Sequence, residues 1–359
     1  MRATGGGLWH TASQWGSRPP RDRLWHSQPM RDGSPPRGVQ APSPAVVWAA
    51  LLVVYVVWGS TYLAIRIVVE ALPPLASAGV RFLIAGSVVA GVLMLRGGPS
   101  RLRARPMELA GAAAVGVLLL FGGNGLVNVG EQSVPSALAA LIIASVPLWV
   151  MVLRRVTGQV IAPATLLGVL VGFGGVAIMV VPAGLSGTVE PAGLLTLVVA
   201  SFCWATGSFL STRLRLPRDP FALTAWEMLF GGAALLAGGL ALGETFDPAL
   251  IAAHPTSVWA LGYLVVFGSL LAFTAYTWLL QVAPISRVAT YAYVNPVVAV
   301  ILGWLVLGEV ISPTMLAGGA IIVVAVAIVI RQESGRRGHA AAMSPTSTAL
   351  EAPQPERAR

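Results

Sequence analysis

With 359 residues, 56% of them hydrophobic and only 10% charged, and a mean hydropathy of +0.77, the chain is too apolar for a soluble domain, in which about a quarter of the residues are charged. A formal charge of +9 would suggest a nucleic-acid partner in a soluble protein, but here the arginines lie in the tails and in short loops between apolar runs, where the positive-inside rule puts them. The nucleic-acid reading falls away and a polytopic membrane protein remains; a single cysteine, Cys203, excludes an intrachain disulfide.

Residues 1–44 mix Arg, Pro, Gly, Ser and Trp without apolar periodicity and contain no short apolar core followed by a cleavage site. They are expected to be a disordered basic tail, with lipid-headgroup binding through six arginines as the alternative. Met30 is a second candidate for the start of translation. From Ala45 onward ten apolar runs follow, at 45–69, 74–95, 107–128, 134–153, 162–181, 191–212, 221–241, 257–280, 286–307 and 313–330. Each is close to the ~20 residues that a spanning helix needs. With the N-terminus in the cytoplasm, Arg96, Arg101, Arg103, Arg105, Arg154, Arg155, Arg213, Arg215, Arg218 and Arg287 fall on the inner side with both tails. The opposite loops hold Glu70, Glu131, Glu190, Glu244, Asp247 and Glu309 instead. This predicts an all-α protein of ten transmembrane helices with both termini cytoplasmic, followed by an unstructured tail at 331–359.

The chain repeats internally. Gly158-Gln159-Val160-Ile161-Ala162-Pro163 matches Gly308-Glu309-Val310-Ile311-Ser312-Pro313, Trp58 aligns with Trp204, Arg81 with Glu227, and Gly86 with Gly232. Five helices per half is an odd number, so the halves must be inverted, and the charges agree: the loop after Pro147 carries Arg154 and Arg155, its mate after Pro296 carries Glu309. Pro147 and Pro296 each interrupt a spanning run. A proline at 296 frees the carbonyl of Ala292, which in hydrocarbon must be met by protein or by a wet cavity. The central site is therefore expected around Pro147, Pro296, Tyr291, Tyr293 and Asn295.

Ionisable groups inside spans are few, and each asks for a reason. Glu227 lies about 10 Å deep at ~1.5 Å per residue and is the candidate for binding a proton or a substrate amine, against a structural pair with Arg287. Arg81 either binds a substrate carboxylate or holds a carboxylate such as Glu131, the pairing being the favoured role. Arg66 and Glu70, four apart, read as a local pair. Asn124, Asn128 and Glu131 share one helix face that lines the pathway or bonds another helix, and the glycines at 122, 123 and 125 admit a close neighbour. Trp58, Tyr62, Trp204, Tyr291 and Tyr293 offer flat faces for an amphipathic or cationic solute. Gly168 and Gly172 read as helix packing, and the oligomeric state stays open. The four histidines, His10, His26, His254 and His339, have no metal-ligand spacing, and no phosphate-cradling loop occurs, so neither an enzyme nor a metal or cofactor is expected.

Four stretches, WGSTYLAIR at 58–66, PPLASAGVRFLIAG at 73–86, GNGLVNVGEQSVPSALAALIIASVPLW at 123–149 and TYAYVNPVVAV at 290–300, resemble an EamA-domain member of the drug/metabolite transporter superfamily. The resemblance implies two inverted five-helix EamA repeats, at 45–181 and 191–330, and a central cavity open to one side at a time. It also implies export of metabolites or drug-like solutes; the aromatics and the few buried charges fit amino acids, their derivatives and cationic drugs, and the plasma membrane is the expected location. Gln159, where the second repeat has Glu309, departs from the repeat. The expected protein is a secondary active transporter with a small-molecule substrate, the lipid bilayer around it and protons as the coupling ion. A facilitative or uptake carrier is the alternative, ahead of a receptor or scaffold.

Overall fold

The computed structural model describes residues 42–185, 189–283, 288 and 290–342. The tail at 1–41, the second start at Met30, Arg287 and the side chain of Tyr293 lie outside the described residues. All regular structure among the described residues is helical. In chain order the apolar rods are α1 (Pro44–Val68), α2 (Pro74–Gly97), α3 (Pro106–Gly130), α4 (Ser136–Val156), α5 (Pro163–Leu185), α6 (Pro191–Ser211), α7 (Pro220–Ala241), α8 (Pro255–Val282), α9 (Tyr291–Leu307) and α10 (Pro313–Ala342). Seven of them, α1 to α4 and α6 to α8, are long and apolar enough to cross a membrane, and three shorter apolar stretches lie in α5, α9 and α10.

Proline sets most of these starts. Eight of the rods open on a proline, whose missing N–H falls among donors that have no intrahelical acceptor anyway and whose fixed φ suits the first turn. Ser43 and Asp219 add side-chain caps to α1 and α7. The two matching hexads both turn on a left-handed glycine, Gly158 at φ 82° and Gly308 at φ 65°, a conformation glycine adopts without steric cost, and each then enters a proline-initiated helix.

The rods pair across the repeat. On the α2–α7 seam a Cβ on Gly86 would stand 3.2 Å from the carbonyl oxygen of Ala225, and one on Gly232 would stand 3.1 Å from that of Gly79. Since Gly86 is the mate of Gly232 and Gly79 the mate of Ala225, the same contact is made twice, once in each direction. The loops confirm the antiparallel sense. Arg101, just past the end of α2, is ion-paired with Asp219 at the start of α7. Glu244, just past the end of α7, accepts hydrogen bonds from the N–H groups of Leu75 (3.1 Å) and Ala76 (2.7 Å) at the start of α2. The α5–α10 seam repeats the device, with Gly175 and Gly318 each against the other's carbonyl. Gly168 faces Val329 of α10, and Gly172 faces Leu148 of α4 and Ala325 of α10, so their role is packing within the chain.

Glu309 is a cap. Its carboxylate accepts from the N–H and the hydroxyl of Ser136, both at 2.7 Å, and from the N–H of Ala137 at 2.9 Å, meeting the free donors at the start of α4 where the helix dipole favours negative charge. Gly158 lies past the other end of α4, roughly 30 Å away at ~1.5 Å per residue. The two hexads therefore sit at opposite ends of one rod. Gln159, the neutral mate, accepts instead from Arg154 Nε at 2.7 Å.

Four features of the rods bear on the sequence expectations. In α4 the helix stops at Ile143 and restarts at Val146, so Pro147 opens a second segment; the Ser145 hydroxyl donates to the Ile142 carbonyl at 2.6 Å and fills the break. In α9 the helix runs through Pro296, with the buried Asn295 amide donating to the carbonyls of Tyr291 (3.3 Å) and Tyr55 (3.1 Å). Both α3 and α8 widen into π-helical turns, at Val117–Gly125 and Leu264–Phe273, which are equivalent positions in the two repeats. Finally, α10 continues past the expected end at 330 to Ala342, because Arg331-Gln332-Glu333 and the alanines favour helix and no proline intervenes before Pro345.

Candidate functional site

The places where backbone regularity fails converge on one cavity. The widened turn of α3 supplies Leu120, Gly123 and Asn124, that of α8 supplies Gly268 and Phe273, the break in α4 is flanked by Ile143 and Val146, and α9 brings Tyr291 and Asn295. Trp58, Thr61, Tyr62 and Ile65 of α1, Arg81 and Phe82 of α2, and Ala200 and Trp204 of α6 close the wall. Its volume is about 60 Å³, room for a handful of waters. Irregular backbone at membrane depth is tolerated where it is buried in protein or lines such a space.

Trp58 is the centre of the wall. Its ring lies 5.6 Å from that of Trp204, edge-on at 87°, 5.4 Å from Tyr291 and 4.8 Å from Tyr276. Its indole N–H donates to the Gly268 carbonyl at 3.3 Å. Trp58 and Trp204, mates in the repeat, thus meet face to edge in the middle of the molecule. Glycine makes this possible: a Cβ on Gly123 would stand 2.7 Å from the Trp204 ring, and one on Gly59 would stand 2.6 Å from Val298. The glycines at 122, 123 and 125 are filled by Cys203, Trp204 and Leu235 of neighbouring rods.

Arg81 reaches into the cavity from α2 and is buried. Its Nε donates to Ser269 Oγ at 2.8 Å, Nη1 makes a long contact of 3.4 Å with Asn124 Oδ1, and the guanidinium lies 4.5 Å over the Phe82 ring. The expected pairing with Glu131 is not made. Ser269 arrives from the widened turn of α8, far away in sequence, and takes the position that a carboxylate was expected to fill. Glu131 is fully buried, and both of its carboxylate oxygens lack a hydrogen-bond partner. Its backbone carbonyl accepts from Arg66, so Arg66 spends a donor across helices and not on Glu70, which is exposed.

The other expected residues divide. Trp58, Tyr62, Asn124, Trp204, Tyr291 and Asn295 line the cavity. Asn128 stands behind it, donating to the Asn124 backbone and side-chain oxygens at 2.8 and 3.2 Å. Pro147 and Pro296 shape their rods without lining the space. Glu227 is buried on α7 beside Gly116, whose absent Cβ would stand 2.5 Å from the Glu227 carbonyl, and it does not line the cavity. Sequence reasoning missed Phe82, Phe273, Gly268 and Ser269. The last two sit in an apolar run where only the repeat, set against the glycines of α3, could have pointed to them.

Comparison with known proteins adds a family. Residues 44–181 and 191–331 each match the model of the EamA-like transporter family. An Escherichia coli K12 protein named "Uncharacterized inner membrane transporter YedA" is 39% identical over 287 residues, covering 79% of this chain and 90% of that one. A chloroplastic WAT1-related protein of Arabidopsis thaliana is 25% identical over 288 residues, covering 79% and 69%. A solved structure named only "Crystal structure of protein" superimposes with a TM-score of 0.58 at 20% identity over 82% of this chain and 99% of that one, a likeness of fold.

Proposed function

The chain belongs to the EamA-like transporter family, and from that premise we propose that it is a secondary transporter moving a small solute by alternating access through the cavity that Trp58 and Trp204 line. It is a membrane transporter, a multi-pass protein of the plasma membrane, and its partners are a small-molecule substrate and the surrounding lipid. In this reading the ten rods all span, residues 45–181 and 191–330 form two inverted repeats, and both termini are cytoplasmic. The direction is export, the solute is an amino acid, a derivative or a drug-like molecule, and protons drive it through Glu227.

The observation that carries the reading is the cavity itself. It is lined by helices from both repeats at the points where α3, α4 and α8 leave regular geometry, and such points are where one half can rock against the other. Glu227 supports the coupling because it is buried with no ion pair among the described residues, which disfavours the charged form.

Cells expressing the protein are compared with cells expressing Ile143→Trp, which fills the cavity, by measuring small solutes in the medium and in the cells. A set of solutes is expected to shift outward only with the unsubstituted protein, and to lose that shift on collapse of the proton gradient and in Glu227→Gln. Identical solute profiles for the protein and Ile143→Trp would defeat the transport reading. An outward shift indifferent to the gradient and to Glu227→Gln would defeat the coupling alone.

A further inference from the structure

We propose that the cavity binds the carboxylate of its solute on Arg81, so that the substrate class is a small organic acid or zwitterion with an apolar or aromatic body; this rests on the transport reading above and deepens it. Arg81 is 2% exposed. One of its donors is taken by a serine hydroxyl and another by a long amide contact, both neutral acceptors. Nη2 packs close to Gly268, where a Cβ would stand 3.0 Å from it and 3.2 Å from Thr61, so any larger residue there would push the guanidinium aside. No carboxylate of the described residues reaches the guanidinium, and no acidic residue lines the cavity. Neutral oxygens do not balance a buried cation, and an unbalanced one is costly. Glu131, the carboxylate expected to pair with it, makes no hydrogen bond to it.

A second observation points the same way independently. The indole N–H of Trp204, which also lines the cavity, is buried and makes no well-formed hydrogen bond, with only the Tyr291 hydroxyl beside it. A buried cation and a weakly engaged donor therefore line one space whose walls offer no anion. A carboxylate matches the planar fork of the guanidinium and is a stronger acceptor for the indole N–H than a phenol hydroxyl. The rings of Trp58, Phe82, Phe273 and Tyr291 then take the apolar part of the molecule. A cationic solute would find no counter-charge on this wall.

The solutes that depend on the protein, identified against Ile143→Trp, are sorted by functional group, and the measurement is repeated with Arg81→Gln, Arg81→Lys and Trp204→Phe. Each variant is also purified and its melting temperature recorded. The dependent solutes are expected to carry a carboxylate. Their outward ratio should fall about tenfold or more in Arg81→Gln, less in Arg81→Lys, which keeps the cation, and a few-fold in Trp204→Phe, which keeps the ring and removes the donor. If Arg81→Gln does not fold, the other two variants decide: acids moved at the full ratio by Trp204→Phe and Arg81→Lys alike overturn the proposal. Dependent solutes that are amines or neutral molecules, or acids that a folded Arg81→Gln moves at the full ratio, also overturn it while leaving the transport reading intact. A complete lack of dependent solutes overturns both.

Discussion

Gly79→Val is expected to cost the protein most of its folded yield. A Cβ at position 79 would stand 2.5 Å from the backbone nitrogen of Leu236 and 2.8 Å from its Cα, so relief cannot come from turning a side chain and α2 must move off α7. Overpacking of this kind costs ~1–3 kcal/mol where neighbours can adapt and more where backbone is struck. In a bilayer, moreover, close packing is much of what holds helices together. The melting temperature in detergent should fall by on the order of 10 °C, or the monodisperse peak should vanish. Gly91→Val, on the same helix with nothing within 4 Å of its Cβ, should melt with the unsubstituted protein. Equal melting of all three would mean that α2 and α7 are not in backbone contact at Gly79.

Trp58→Ala is the second large effect, and it should be felt in both stability and transport. Trp58 is 9% exposed, packs against Trp204, Phe273, Tyr276 and Tyr291, and bonds the widened turn of α8 through Gly268. Truncating a buried tryptophan costs ~3–5 kcal/mol when the void stays open, and here the void merges with the cavity and cannot collapse. A fall of several degrees in melting temperature, together with loss of the solute shift, is expected. Trp304→Ala, at a residue 56% exposed on the outside of α9, provides the comparison and should change neither. If the two alanine variants behave alike, Trp58 is not the centre of the wall.

Much of this architecture could be read from the residues because it rests on local rules. Prolines at helix starts, glycines at Gly158 and Gly308, and arginines confined to alternate loops each act within a few residues of themselves, so spans, repeat and tryptophan mates were visible without a structure. What could not be read is set by partners far away in sequence. Ser269 displaces Glu131 as the neighbour of Arg81 because the widened turn of α8 carries it there, and no periodicity in an apolar run announces a π-turn. Pro147 and Pro296 look equivalent, yet the hydroxyl of Ser145 supports a full break where the amide of Asn295 supports a continuous helix. Glu309, which the sequence offers only as a loop carboxylate and the mate of Gln159, caps α4, because Ser136 and Ala137 reach it from far away in the chain.

The central claim is that two halves of like fold stand upside down about the shared cavity. Val160 and Val310, equivalent in the hexads and 84% and 88% exposed, report on it directly. Each is changed to cysteine in a Cys203→Ser background and treated in intact cells with a membrane-impermeant maleimide. Val310→Cys should label at once, and Val160→Cys only after the cells are permeabilised; labelling of both from the same side would contradict the inverted arrangement and the rocking cycle built on it.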